Sequence, residues 1–261
     1  MKIALLIPST SNKRNWNELS DCYLHNILLP TFYANLNTKE RSHNFIIYLG
    51  IDDDDKFYNR DDIRFGLVTF INNNCPNFLI KFISTSEIKK GYVGLIWNRL
   101  FKYAYEEDCD YFLQSGDDIE FLDKGWLNKS IKILQDNERI GVVGLKDINR
   151  HNNDKLLLTQ TFVSRLHYEI FGFYFPNQII NWYVDDWITN IYKNIDKMFL
   201  IDERLDNKGG EPRYEIKDEP NKCEYLVNKY SVVLSDALQQ IKDDKEGKVM
   251  LNNDLEEQYK D

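Results

Sequence analysis

The chain has 261 residues, 43% hydrophobic and 29% charged, with 33 Lys and Arg against 42 Asp and Glu. That length and apolar content suit one α/β domain, or one domain with a small appendage, able to bury a real core. The net charge of -9 comes with no basic stripe, which argues against nucleic acid as a partner; an acidic chain takes an anionic ligand through a metal or a few placed cations.

Residues 3–7, "IALLI", form a continuous apolar run cut by Pro8. The run reads as a buried parallel strand and is too short for a signal-peptide core or a membrane span. Residues 16–36 place Trp16, Leu19, Tyr23, Ile27 and Leu28 at helical spacing. "HNFIIYLGIDDDD" (43–55) is a second buried strand that ends in acids. Residues 61–75 look amphipathic, 78–85 predict a third strand, and 91–107 a helix with Leu95, Leu100 and Ala104 on its apolar face. "CDYFLQSGDDIEF" (109–121) reads as a fourth strand, 125–137 as a helix and 140–147 as a fifth strand. The alternation predicts an α/β protein with a mostly parallel, Rossmann-like central sheet flanked by helices.

Beyond 158 the texture changes. Residues 159–192 are rich in aromatics and predict a helix, a loop and a second helix. Residues 202–220 are polar and contain glycine, as a surface loop does. A helix is expected from about 223, with a charged, fraying tail from about 243. This divides the chain into residues 1–222, with a first half to about 122, and an appendage, 223–261. No later stretch reaches 18 apolar residues, and Cys22, Cys75, Cys109 and Cys223 form no CxxC pair. The expectation is a cytoplasmic protein of a reducing compartment, that of a virus-infected host included.

Ligands of parallel α/β sheets sit at the carboxyl ends of the strands. Asp52 ends the second strand there, and Asp117 and Asp118 end the fourth, after Gly116. Two adjacent buried carboxylates repel unless something positive lies between them. A hard divalent cation sharing its other positions with phosphate oxygens fits that need, and an ordinary Asp-Asp turn is the plainer alternative.

Three stretches resemble the GT-A glycosyltransferases, in particular their family-2-like members. They are "IPST" with "YLGIDDDD", then 91–127 from the Asn/Arg-bearing helix through "SGDDIEF" to the Gly-Trp helix opening, and then "FVSRLHYEIFGFYFPNQIINWYVDDWITNIY". The likeness covers roughly residues 1–195, nucleotide-binding half first and acceptor half second. It implies a hexosyltransferase-type enzyme that uses a nucleotide-diphosphate sugar, by default a UDP-sugar, and a glycan, protein or lipid hydroxyl as acceptor.

By the same resemblance Pro8, Ser9, Thr10, Asp52, Asn98 and Arg99 would face the donor. Asp118, with Asp117, would hold Mn²⁺ or Mg²⁺. Asp186 would be the base of an inverting transfer and Asp185 its partner, with Trp182, Tyr183 and Trp187 stacking on sugar. Beyond the likeness, "GGEPRYE" reads either as a loop that closes over the donor with Arg213 meeting a phosphate or as a plain surface loop. A retaining transfer, a sugar nucleotidyltransferase and a non-catalytic nucleotide- or carbohydrate-binding module stay open. The nucleotidyltransferase is disfavoured because "PSTSNKRN" lacks a phosphate-cradling glycine. His167, on a predicted helix, reads as a packed residue rather than a metal ligand.

Overall fold

Residues Lys2–Ser9 (β1) are buried almost throughout, so their alternate side chains feed two different apolar layers. Ile3, Leu5 and Ile7 join Phe32, Phe45 and Trp126 on one face of the sheet. Ala4 and Leu6 join Ile96, Leu100 and Trp187 on the other. Each such fully buried side chain stabilises the fold by about 1.5–3 kcal/mol before entropy is counted. The computed structural model describes residues 1–150, 156–209, 211–215 and 220–243.

Around β1 the sheet is parallel. Asn44–Ile51 (β2) and Phe78–Ser84 (β3) lie to one side, and Tyr111–Gln114 (β4) to the other. Ser9 pairs with Ile51 and Leu6 with Gln114, so three strands release the chain along one edge. The connections run through a short helix, Leu29–Ala34 (α1), and two longer ones, Asp61–Asn74 (α2) and Val93–Glu106 (α3). The packing of α3 on β2 needs Gly50, because a Cβ there would lie 2.7 Å from the Ile96 side chain.

The second half of the sheet is mixed. The full order is β3-β2-β1-β4-β7-β6-β8-β5, with β5 Ile119–Phe121, β6 Val142–Asp147, β7 Thr161–Ser164 and β8 Met198–Asn207. Strand β7 runs antiparallel to both β4 and β6, while β6 and β8 are parallel. The remaining helices are Trp126–Asp136 (α4), Leu166–Phe171 (α5), Val184–Lys193 (α6) and Pro220–Asp243 (α7).

Four expectations change. The single strand over 109–121 is two: the chain turns after Gln114 and restarts as β5, which pairs with β8 at the far edge. Residues 159–192, expected as a helix, a loop and a second helix, open with strand β7, which lies between β4 and β6. The polar stretch from 202 is not all loop, since its first six residues complete β8, where Glu203 and Arg204 meet Lys129 and Asp123 at the surface. The helix expected over 16–36 breaks into a 3-10 turn at Leu19–Asp21, a π-helical turn at Leu24–Leu28 and α1, with Pro30 in the first turn of α1, where its missing N–H costs little.

The last helix begins at Pro220, a little earlier than expected, and buries Leu226, Val227, Leu234 and Leu238 in the apolar layer that also holds α3 and α6. The charged tail expected beyond 243 lies outside the described residues, as does His151. No helix among the described residues is long and apolar enough to cross a membrane.

Candidate active site

The ends of β1, β2 and β4 open into a cavity of about 320 Å³. Pro8, Ser9, Thr10, Asp52, Gly116, Asp117 and Asp118 form its floor. Trp97 of α3 and Trp182, just before α6, form apolar walls. A strap made of Gly209 and Glu211–Tyr214 covers one side. A mostly apolar hollow with a few converging polar groups is the form that ligand sites take.

Asp117 is 1% exposed, and both of its carboxylate oxygens are engaged. Ser9 Oγ donates to Oδ2, and Arg213 Nη2 donates to Oδ1 at 2.6 Å. The same guanidinium nitrogen lies 3.9 Å from Asp118 Oδ2. Asp118 is wedged between two glycines, and a Cβ at either Gly116 or Gly209 would collide with its carboxylate. Burial pushes the Asp118 carboxyl up to about 6, the neighbouring Asp117 charge adds to the rise, and Arg213 opposes it.

At the other end of the cavity Asp52 accepts hydrogen bonds from Tyr214 Oη (2.5 Å) and Thr85 Oγ1 (3.2 Å). Asp55 is 5% exposed and organises the loop after β1. It accepts from Ser11 N at 2.7 Å, Thr10 Oγ1 at 3.0 Å and Tyr58 N at 2.9 Å. That loop in turn grips the strap. Asn12 Nδ2 donates to Arg213 O at 2.6 Å, and Arg14 Nη2 donates to the carbonyls of Gly209 (2.7 Å) and Glu211 (3.0 Å).

Asp185 and Asp186 stand in the first turn of α6, after Tyr183 in a left-handed conformation (φ 69°). Neither lines the cavity. Both are partly buried. Burial pushes the Asp185 carboxyl up to about 7; Asp186 and Asp147 add to the rise, and Arg150 opposes it. Asp147 and Arg150 line a second, open depression with Asn149, Asp206, Asn207 and Lys208. Asn207 lines both hollows, so the two adjoin.

Other candidate residues are placed elsewhere. Asn98 does not face the cavity: its Nδ2 donates to Phe175 O (2.7 Å) and its Oδ1 accepts from Tyr174 N and Phe175 N (2.9 Å each), which pins the turn after α5. Arg99 lies outside the cavity as well, bonded to Ser84 O at 2.9 Å and to Glu87 at 3.2 Å. Trp187 is fully buried with Phe171, Phe173 and Tyr230, so it packs the core and offers no face to a sugar. Tyr183 packs against the same layer, whereas Trp182 is 49% exposed at the cavity. His167 is buried between Tyr192 Oη (2.7 Å) and Tyr174 O (3.0 Å), and burial holds its imidazole down at about 4.

Arg14, Trp97, Tyr214 and Asn207 were missed as cavity residues. Arg14 and Tyr214 had a signal, one in the basic stretch after β1 and the other beside Arg213. Trp97 and Asn207 had none beyond their type.

A resident Mn²⁺ or Mg²⁺ would take several oxygen ligands in near-octahedral geometry. Here both Asp117 carboxylate oxygens already accept a hydrogen bond, one of them from Arg213, whose Nη2 lies 2.6 Å from Asp117 and 3.9 Å from Asp118. Among the described residues no group of three or more His, Cys, Asp or Glu side chains is arranged to hold a metal ion. In this arrangement the residues do not fit the ion expected from the sequence.

No family model and no curated protein sequence matches the chain. Solved structures share its fold, which is the GT-A fold of nucleotide-sugar glycosyltransferases. Residues 1–349 of S. aureus TarS match with a TM-score of 0.54 at 12% identity, over 90% of this chain and 65% of that one. The same protein in complex with UDP gives 0.54 at 13%, and in complex with UDP-GlcNAc 0.55 at 14%, with the same coverage. The chain thus spans 65% of the length of these structures.

Proposed function

We propose that the chain is a glycosyltransferase that moves a hexosyl group from a nucleoside-diphosphate sugar, UDP-sugars first, to a hydroxyl of a glycan, protein or lipid. The observation that carries the reading is the cavity at the carboxyl ends of β1, β2 and β4, where Asp52, Asp117 and Asp118 converge within a GT-A fold. The UDP and UDP-GlcNAc complexes of TarS support the choice of donor.

In this reading the base of the nucleotide sits toward Asp52, the diphosphate toward Arg213, and the sugar against Trp182. The acceptor enters from the Asn207 side, past the adjoining depression. Its oxygen attacks the anomeric carbon and its proton passes to the Asp186 carboxylate. The bond from that carbon to the diphosphate oxygen breaks, and the nucleoside diphosphate leaves with the electron pair. One displacement inverts the anomeric centre. Asp185 stands beside Asp186, its own carboxyl pushed up to about 7 by burial.

The test is turnover of a panel of nucleotide sugars, with and without simple glycoside acceptors, and the product anomer read by NMR. Inverted product from wild type and its loss in Asp186→Asn are expected. Retained configuration would remove the single displacement, and normal turnover in Asp186→Asn would remove Asp186 as the base.

A further inference from the structure

Asp117 is buried and Asp118 half-buried, and the charge that compensates them comes from 96 residues beyond Asp117 in sequence. Arg213 reaches the pair from the strap, with its side chain 15% exposed and its guanidinium over the rings of Trp16 (5.6 Å) and Tyr23 (5.9 Å). A guanidinium is always charged, fixed in shape and less strongly hydrated than an ammonium, so it suits a buried carboxylate and a phosphate alike. The strap that carries it is held by main-chain contacts to Asn12 and Arg14 and by the Tyr214–Asp52 bond, which fixes where Arg213 sits. Arg14 also lines the cavity, and its buried Nε has no hydrogen-bond partner among the described residues.

We propose that Arg213 is the resident cation of the Asp117–Asp118 pair, so that this site binds a nucleoside diphosphate without a divalent ion and excludes such an ion from the two acids. The part concerning the diphosphate rests on the function proposed above; the exclusion of the ion does not. A divalent cation and Arg213 compete for the same oxygens. With Arg213 in place, the diphosphate meets the guanidinium edge turned away from Asp117. With Arg213 removed, two adjacent carboxylates are left uncompensated and accept Mn²⁺ in its stead.

Two measurements on the full chain test this. The first is binding of free Mn²⁺, read by the loss of its aqueous EPR signal, with no nucleotide present. Wild type and Arg213→Lys should leave the signal unchanged, and Arg213→Gln should quench it at one equivalent. The second is calorimetric titration with UDP in EDTA and in excess MnCl₂. Wild type should bind alike in both. Arg213→Gln should bind about 10–100-fold more weakly in EDTA, the usual range for losing a hydrogen bond to a charged group, and recover in MnCl₂.

Stoichiometric Mn²⁺ binding by wild type, or UDP binding by wild type only when Mn²⁺ is added, would overturn the proposal. Both readings need only the wild-type protein, so they hold even if Arg213→Gln fails to fold. If Mn²⁺ is excluded as expected but neither UDP nor any other nucleoside diphosphate binds in either buffer, the donor assignment falls and the assignment of Arg213 as counter-ion stands.

Discussion

The molecule handles two pairs of adjacent acids in different ways. Asp117 and Asp118, at the end of β4, are compensated by a cation, Arg213, brought in on a distant strap. Asp185 and Asp186, at the start of α6, have Arg150 within electrostatic reach, and Arg150 is itself solvent-exposed, so burial wins and Asp185 moves up to about 7. In the proposed function the Arg213 guanidinium, always charged, is what the first pair offers a phosphate. The second pair there sets Asp185, raised to about 7 by burial, beside the residue assigned as base. Under the proposed function, the contrast separates a nucleotide-binding pair from a proton-transfer pair.

The strongest way to break this comparison is at the second pair. Asp186→Asn should lower turnover by about 10²–10⁴-fold, the usual contribution of a general base, with little change in nucleotide affinity. Steady-state kinetics beside a calorimetric titration separates the two effects. A parallel loss of nucleotide binding would place Asp186 with the nucleotide-binding pair instead.

At the first pair, Arg213→Met leaves the buried Asp117 with Ser9 as its side-chain hydrogen-bond partner among the described residues. Removing one member of a buried ion pair costs about 3–5 kcal/mol. The lower figure is expected here because Asp118 can take up a proton, and at about 2–4 °C per kcal/mol the melting temperature should fall by roughly 6–12 °C. An unchanged melting temperature would show that the pair is not held by Arg213.

The pH response sharpens the contrast further. Asp185 has its folded value raised from 3.8 to about 7, so between those limits the folded state holds a proton that the unfolded state has lost. Its contribution is therefore full below about 3.8, is lost as the pH rises toward 7, and is flat above that. Asp185→Asn should remove this slope and raise the melting temperature at pH 8 by about 2–4 °C if the relief is worth about 1 kcal/mol, a modest figure because the side chain keeps some solvent contact. A melting curve with the wild-type pH slope would mean that Asp185 is not the titrating group.

The smallest expected effect is at Arg99, whose contacts to Ser84 and Glu87 lie outside the cavity. Arg99→Ala should change stability by no more than about 0.5 kcal/mol and leave UDP affinity untouched. Weakened UDP binding would restore the donor role suggested by its place in the sequence.

Much of the parallel half of the sheet was legible because its central strands are buried on both faces and read as unbroken apolar runs. The carboxylates at the strand ends were legible for the same reason: a charge directly after such a run has few places to be. Strand β7 is four residues long and sits in an aromatic-rich stretch, and β8 carries Asp202, Glu203 and Arg204 at the surface, so neither shows a strand period. Trp187 was misread because it neighbours two acids, although Val184, Ile188 and Ile191 share its buried face on α6. The bond from Arg213 to Asp117 joins two ends of the chain through the strap, and no local pattern reports such a partner.

Donor turnover is the most direct measurement of the proposed activity. Wild-type protein in EDTA should release UDP, or another nucleoside diphosphate, from at least one nucleotide sugar, with the transferred or hydrolysed sugar inverted at its anomeric carbon. Nucleotide binding without release from any donor or acceptor combination would contradict it and leave a binding module; release that requires added Mn²⁺ would keep the glycosyltransferase and remove Arg213 as its cation.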